Sequence, residues 1–164
     1  MSIVVNSTPL ISLAIIHQLD LLKIIFGDVI IPRAVCNEVF ISGRGKAGHS
    51  QLVKIDWFYI DDAINMELKH SIMTQLDEGE AEVITVAKDR NISLVCIDEF
   101  ARRQYANLMG LDVIGTLGIL LIAKQQGLIS AVKPLCDLLV DNKRRISRAL
   151  YNEVLRKAGE QVCF

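Results

Sequence analysis

Two polar side chains in this sequence stand where an extended run ends, two glutamates can join them from helices, and the chemistry of the four suits a hard metal ion. Asn6 follows the apolar run Ile3-Val4-Val5, and Asp98 follows the run from Ser93 to Ile97. Glu38 lies in the helical stretch after Val29-Ile30-Ile31, and Glu80 opens the helical stretch from Glu78 to Lys88. In open α/β sheets, ligands gather outside the carboxyl ends of strands, near the point where strand order reverses. Clustered carboxylates with open coordination hold magnesium or manganese, which prefer oxygen ligands and keep some of their water. Such an ion activates water and neutralises charge building up on a phosphodiester. Each residue also has a plain structural reading. Asp77-Glu78-Gly79-Glu80 has the form of a capping box, and acids near a helix N-terminus favour its dipole. Glu38 reads as a solvated helix residue, Asp98 as the cap of the following helix, and Asn6 as the residue that orders a turn. From spacing alone, both sets of readings stand.

The elements that must position these residues alternate between strand and helix. Ile3-Val4-Val5 reads as a strand buried on both faces. Ser7 and Thr8 are placed to cap a helix with Pro9 in its first turn, and Leu10, Leu13, Ala14 and Leu21 then follow helical spacing. A second strand at Val29-Ile30-Ile31 stops at Pro32, before a helix from about Arg33 to Phe40. Ser42 to Gly48 is a flexible basic loop, and Trp57-Phe58-Tyr59-Ile60 is a third strand. Helices are predicted over Asn65–Met73 and Glu78–Lys88, followed by a strand at Ser93–Ile97. A helix over Phe100–Met109, a strand at Asp112-Val113-Ile114 and a helix over Leu117–Gln126 come next. Val132–Val140 and Ser147–Ala158 are predicted as closing helices. The alternation predicts an α/β domain with a mostly parallel sheet.

Composition bounds the function. A chain of 164 residues is most simply one domain, 1–164, with about 130–164 as a helical C-terminal extension. At 51% hydrophobic and 23% charged it has the makings of a filled core rather than a disordered chain. A net charge of −1 argues against indiscriminate attraction to nucleic acid over the whole surface, yet leaves room for a local basic rim. Cys36, Cys96, Cys136 and Cys163 are scattered, without the spacing of a zinc site or a disulfide framework. His17, His49 and His70 have no ligand-like spacing, and no Ser/His/Asp or Cys/His motif is present. Gly115-Thr116-Leu117-Gly118 lacks the lysine or third glycine of a phosphate-binding fingerprint. The start lacks the pattern of a signal peptide, and the apolar stretch from Val113 to Ala123 is too short to span a bilayer, so a cytoplasmic protein without a membrane partner is expected.

Taken in order, several stretches resemble the PIN-domain superfamily, and within it a VapC-like branch that is largely uncharacterised. They are Val5-Asn6-Ser7-Thr8-Pro9-Leu10-Ile11, Ile31-Pro32-Arg33-Ala34-Val35 with Glu38, and Leu76-Asp77-Glu78-Gly79-Glu80-Ala81-Glu82. Ile97-Asp98-Glu99 with Ala101-Arg102 follows, then Gly115-Thr116-Leu117-Gly118 with Ala123-Lys124, and finally Tyr151-Asn152-Glu153-Val154-Leu155 with Gly159-Glu160. The resemblance covers the whole chain and rests on the ordered set rather than on one motif. It implies a three-layer α/β/α fold with a central parallel sheet in the order 3-2-1-4-5, plus the C-terminal helices.

The resemblance also implies a magnesium- or manganese-dependent endoribonuclease, often the toxin of a toxin–antitoxin pair and often a homodimer. Carried over by position, Glu38, Glu80 and Asp98 hold the metal and Asn6 completes the catalytic set. Glu99 assists from beside Asp98, Thr116 adds a polar group beyond the last strand, and Glu82 points elsewhere. Arg102 and Arg103, just past Asp98, are the first candidates to grip RNA phosphates. Arg44 with Lys46, and Lys143-Arg144-Arg145 with Arg148, are further basic clusters. Asn6 departs from the aspartate usual in the family; an amide oxygen still coordinates but brings no charge. The alternative is therefore a non-catalytic PIN-like module that binds nucleic acid or protein through a weakened metal site. A third reading is a regulatory partner that oligomerises through its apolar helices.

Overall fold

The computed structural model describes residues 1–162; Cys163 lies outside them. Among these residues, five parallel strands form one sheet: β1 (Ser2–Val5), β2 (Asp28–Pro32), β3 (Tyr59–Asp61), β4 (Leu94–Cys96) and β5 (Asp112–Ile114). Their order is β3-β2-β1-β4-β5, as expected, with Val4 paired to both Ile30 and Val95. Ile3, Val4, Val5, Val29, Ile31 and Val95 are fully buried, the pattern of parallel strands covered on both faces. Strand order reverses on either side of β1, so Asn6 and the residues after β4 share one carboxyl edge. The Asn6 N–H donates to the Cys96 carbonyl at 3.0 Å, which fixes that edge.

The connections supply α1 (Ser7–Ile15), α2 (Asp20–Phe26), α3 (Arg33–Cys36), α4 (His49–Leu52), α5 (Met66–Ile72) and α6 (Glu78–Asp89). Beyond β4 come α7 (Phe100–Leu108), α8 (Thr116–Gln125), α9 (Lys133–Asp141) and α10 (Arg148–Lys157). α6 packs across β1, β2 and β4, with α3 and α5 against it. On the other face, α2 packs on β2 and α8, α1 packs on α4, α8 and α9, and α10 rests on α8. Every residue of α6 from Gly79 to Ala87 is buried, so this helix has no solvated face over nine residues.

Three local expectations are corrected. The helix predicted through Leu10 and Leu21 is two helices, because His17 adopts φ 56° and the Gln18 N–H turns back to the Leu13 carbonyl at 2.8 Å. The cap of α1 is Asn6, whose Oδ1 accepts the Ser7 N–H at 2.9 Å, rather than Ser7 or Thr8. The third strand starts at Tyr59, since Trp57 donates its indole N–H to Asp20 at 3.1 Å and Phe58 stacks on Phe40 at 5.4 Å. Among the described residues no single helix is long and apolar enough to cross a membrane; α1 and α2 would suffice only together, and they are bent by 116°.

Candidate active site

Glu38 is carried by an irregular element. α3 runs on without a break into a π-helical segment, Asn37–Ser42, and Glu38 sits exposed in its first turn. Single π turns inside helices recur at functional sites because the extra residue re-aims side chains. Gly43 closes the segment where a Cβ would collide with the Val39 carbonyl. Glu38 Oε2 lies 3.5 Å from where a Cβ on Gly79 would stand, which brings the carboxylate against the start of α6.

Glu80 is buried in the first turn of α6 and is fully engaged. Its backbone N–H donates to Asp77 Oδ1 at 2.8 Å, and its own Oε2 accepts the Asp77 N–H at 3.1 Å, a complete capping box. Oε1 accepts from the Arg102 Nε–H at 2.7 Å. Arg102 also pairs with Glu99, one turn back on α7. The structural reading of Glu80 as a cap is therefore correct, and a second oxygen remains for a cation, here the guanidinium.

Asp98 stands two residues beyond β4 and binds the start of α8, not of α7. Its Oδ1 accepts the Thr116 N–H at 2.7 Å and its Oδ2 accepts the Thr116 hydroxyl at 2.8 Å. The positive end of α8 favours this carboxylate. Gly115 makes the approach possible: a Cβ there would lie 2.9 Å from Asp98 Oδ1 and 2.8 Å from Arg103 Nη1. Burial pushes the neighbouring Cys96 thiol well above its ordinary range, with the Asp98 charge adding to the effect, so it remains a protonated core side chain.

Glu82, expected to point elsewhere, is buried and holds the scaffold together. Its Oε1 accepts from Lys69 Nζ at 2.9 Å and its Oε2 accepts the Ala34 N–H at 2.7 Å, tying α5, α6 and the start of α3 together. Lys69 also donates to Glu78 at 2.9 Å. Burial opposes the ammonium charge, but the hydrogen bonds to Glu82 and Glu78 win and raise the Lys69 pKa above its usual value. Nothing in local spacing announced Lys69; the one available signal was a glutamate on a helix with no solvated face, which demands a cation.

Asp98, Thr116 and Arg103 border a cleft of about 970 Å³ whose lining also includes Lys143, Arg144, Arg145 and Lys157, with Glu99 and Glu153. A smaller cavity of about 200 Å³ holds Glu38, Lys46, His49 and, again, Arg144. Of the predicted phosphate-binding arginines, Arg103 lines the cleft and Arg102 is drawn to Glu80 and Glu99. The Lys143–Arg145 run, one of the basic clusters noted in the sequence, lines the same cleft as Asp98.

The donor set, carboxylates with an amide and a hydroxyl, is the hard oxygen chemistry that magnesium and manganese prefer. The arrangement is not closed around an ion: among the described residues no three His, Cys, Asp or Glu side chains stand at metal-holding spacing. The fit is thus one of donor type, with Glu80 and Asp98 held by protein partners that an ion would have to displace or share.

No curated protein and no solved structure matches this chain. A family model described as a PIN domain matches residues 2–160, from the first strand to beyond the last helix. With the parallel sheet in the order 3-2-1-4-5 and the acidic carboxyl edge, this chain belongs to the PIN-domain family.

Proposed function

We propose that this chain is a ribonuclease that acts on RNA phosphodiester bonds. The observation that carries the reading is the cleft itself, whose lining brings Asp98 and Thr116 together with the cations Lys143, Arg144 and Arg145. A polyanionic strand is held by these cations and presented to the acidic edge. Arg103 borders Asp98 on the same side and is the second phosphate contact. Glu38, Glu80 and Asp98, with the Asn6 amide, are the groups that would hold Mg2+ or Mn2+. Such an ion supplies an activated water and neutralises charge on the phosphodiester. The residues of the chain itself orient the strand and keep the Asp98 carboxylate fixed through Thr116. The toxin of a toxin–antitoxin pair is the form of this activity that the VapC-like resemblance implies, and a cytoplasmic location goes with it.

A second reading has its own observation. The Asn6 amide oxygen already accepts the Ser7 N–H and brings no charge, so this position offers a metal ion less than an aspartate would. That favours a non-catalytic module binding RNA on a nuclease fold. Calorimetry with manganese, paired with an RNA cleavage assay, separates the two for wild type, Asp98→Ala and Asn6→Asp. Binding and cleavage by wild type that Asp98→Ala abolishes support the nuclease. Binding and cleavage seen only in Asn6→Asp identify a module that lost its metal through one residue. Silence from all three would sink the nuclease reading.

A further inference from the structure

We infer that Arg144 is a phosphate-binding residue at the junction of the two cavities, which makes the turn between α9 and α10 part of the nucleic-acid site. The inference rests on the RNA reading above and deepens it, since it gives the strand a path from Asp98 towards Glu38. Arg144 is the basic residue that borders both the large cleft and the small cavity. Its Nε–H is buried and has no hydrogen-bond partner among the described residues. The Arg144 guanidinium forms no ion pair among the described residues, so its Nη groups, rather than the enclosed Nε, are left for a phosphate oxygen.

The backbone fixes where Arg144 stands. α9 closes with the Lys143 N–H on the Val140 carbonyl at 2.9 Å and the Arg144 N–H on the Leu139 carbonyl at 2.9 Å. This closure places the residue after the cap in the left-handed region, where glycine or asparagine is usual. Here it is Lys143, at φ 63°. His17 and Asn91 close α1 and α6 in the same way, so this is the chain's usual helix ending, used here to turn the backbone at the cleft. What it secures is a rigid turn that sets Lys143, Arg144 and Arg145 in succession along the cleft wall. A phosphodiester strand is the ligand class that uses successive cations on a fixed wall; a mononucleotide would engage one cavity only.

The test is fluorescence anisotropy with a labelled single-stranded 2′-O-methyl RNA 12-mer, which resists cleavage, titrated in EDTA at several salt concentrations. Wild type, Arg144→Gln, Arg144→Lys and Arg156→Gln are compared, the last being an exposed residue that borders neither cavity. Arg144→Gln is expected to bind about tenfold more weakly and to lose about 0.7 from the salt slope, the value for one phosphate contact on a single strand. Arg144→Lys keeps the slope and loses part of the affinity, because a point charge replaces the fork. An Arg144→Gln protein with the melting temperature, affinity and slope of Arg156→Gln overturns the inference while the RNA reading stands. No binding by wild type overturns both. Because EDTA is present, failure of the metal site leaves this experiment decisive.

Discussion

Replacing Arg102 by glutamine should raise the affinity of the acidic edge for manganese. In the folded protein the Arg102 Nε–H donates to Glu80 Oε1 at 2.7 Å, and the two side chains are 32% and 9% exposed. The other Glu80 oxygen already accepts the Asp77 N–H, so an incoming cation competes with Arg102 for one oxygen. A charge-assisted hydrogen bond contributes about 1.5–3 kcal/mol when buried, and a third of that is discounted because the arginine is partly solvated. What remains, about 1–2 kcal/mol, corresponds to a fivefold to thirtyfold gain in affinity.

Isothermal titration of wild type and Arg102→Gln with manganese measures this gain directly. A thermal melt supplies the complementary reading. Without metal, Arg102→Gln leaves Glu80 with an uncompensated charge in a buried position and should melt below wild type. Saturating manganese should restore more stability to the variant than it adds to wild type, since a ligand stabilises in proportion to its binding. Equal or weaker manganese affinity in Arg102→Gln, with the fold intact, would refute the argument. It would mean that Glu80 takes no part in holding the ion, and that Arg102 only joins α6 to α7.

The scaffold and the C-terminal helices give two further expectations. Lys69→Met leaves the Glu82 carboxylate, 8% exposed, without its cation and should cost about 3–5 kcal/mol by urea unfolding; a loss below about 1 kcal/mol would show that the network is slack. Glu160 accepts the Val132 and Lys133 N–H groups and pairs with Lys124 at 2.8 Å; burial raises its pKa, but these partners outweigh it and hold the carboxyl below its ordinary 4.5. A depressed carboxyl pKa stabilises above the unfolded value and loses that effect as pH falls through the folded one. Glu160→Gln should therefore be less stable than wild type at neutral pH, and the gap in a circular-dichroism melt should close as the solution is taken below about pH 4.

The sheet was legible in the sequence because short apolar runs closed by Asn6, Pro32 and Asp98 leave little freedom about where strands end. Asp77 and Glu80 announced their own capping box by spacing. The strand at Tyr59 was placed two residues too early because aromatic residues fit a strand by propensity, while Trp57 and Phe58 are claimed by Asp20 and Phe40 from other parts of the chain. The break at His17 was hidden for a similar reason: the apolar spacing continues, and the turn serves packing that spacing does not show, α2 on β2 and α1 on α4 and α9, with α8 touching both. The four acidic-edge residues were each read with two roles, and the structure gives three of them a cap or an anchor within the protein. What spacing does not reveal is which cations meet them. Arg102 is 22 residues from Glu80, and Arg144 reaches the cleft from the turn between the last two helices.

Those cations give Asn6 a physical meaning. Glu80 is balanced by Arg102, and Asp98 by the Thr116 N–H and hydroxyl at the positive end of α8. Asn6, buried on the adjoining strand end, adds a dipole that is satisfied by Ser7 and no charge. An aspartate there would place a further buried carboxylate beside Asp98, and like charges at close quarters persist only when a cation joins them. With asparagine the edge holds together by hydrogen bonds and one arginine, without depending on a metal for its stability. The substitution and the Arg102 pair therefore act in the same direction: each removes one unit of uncompensated negative charge from the carboxyl edge. On the proposed reading, both residues lower the affinity of this edge for a metal ion, whereas the cations that line the cleft, Lys143, Arg144 and Arg145, are independent of either.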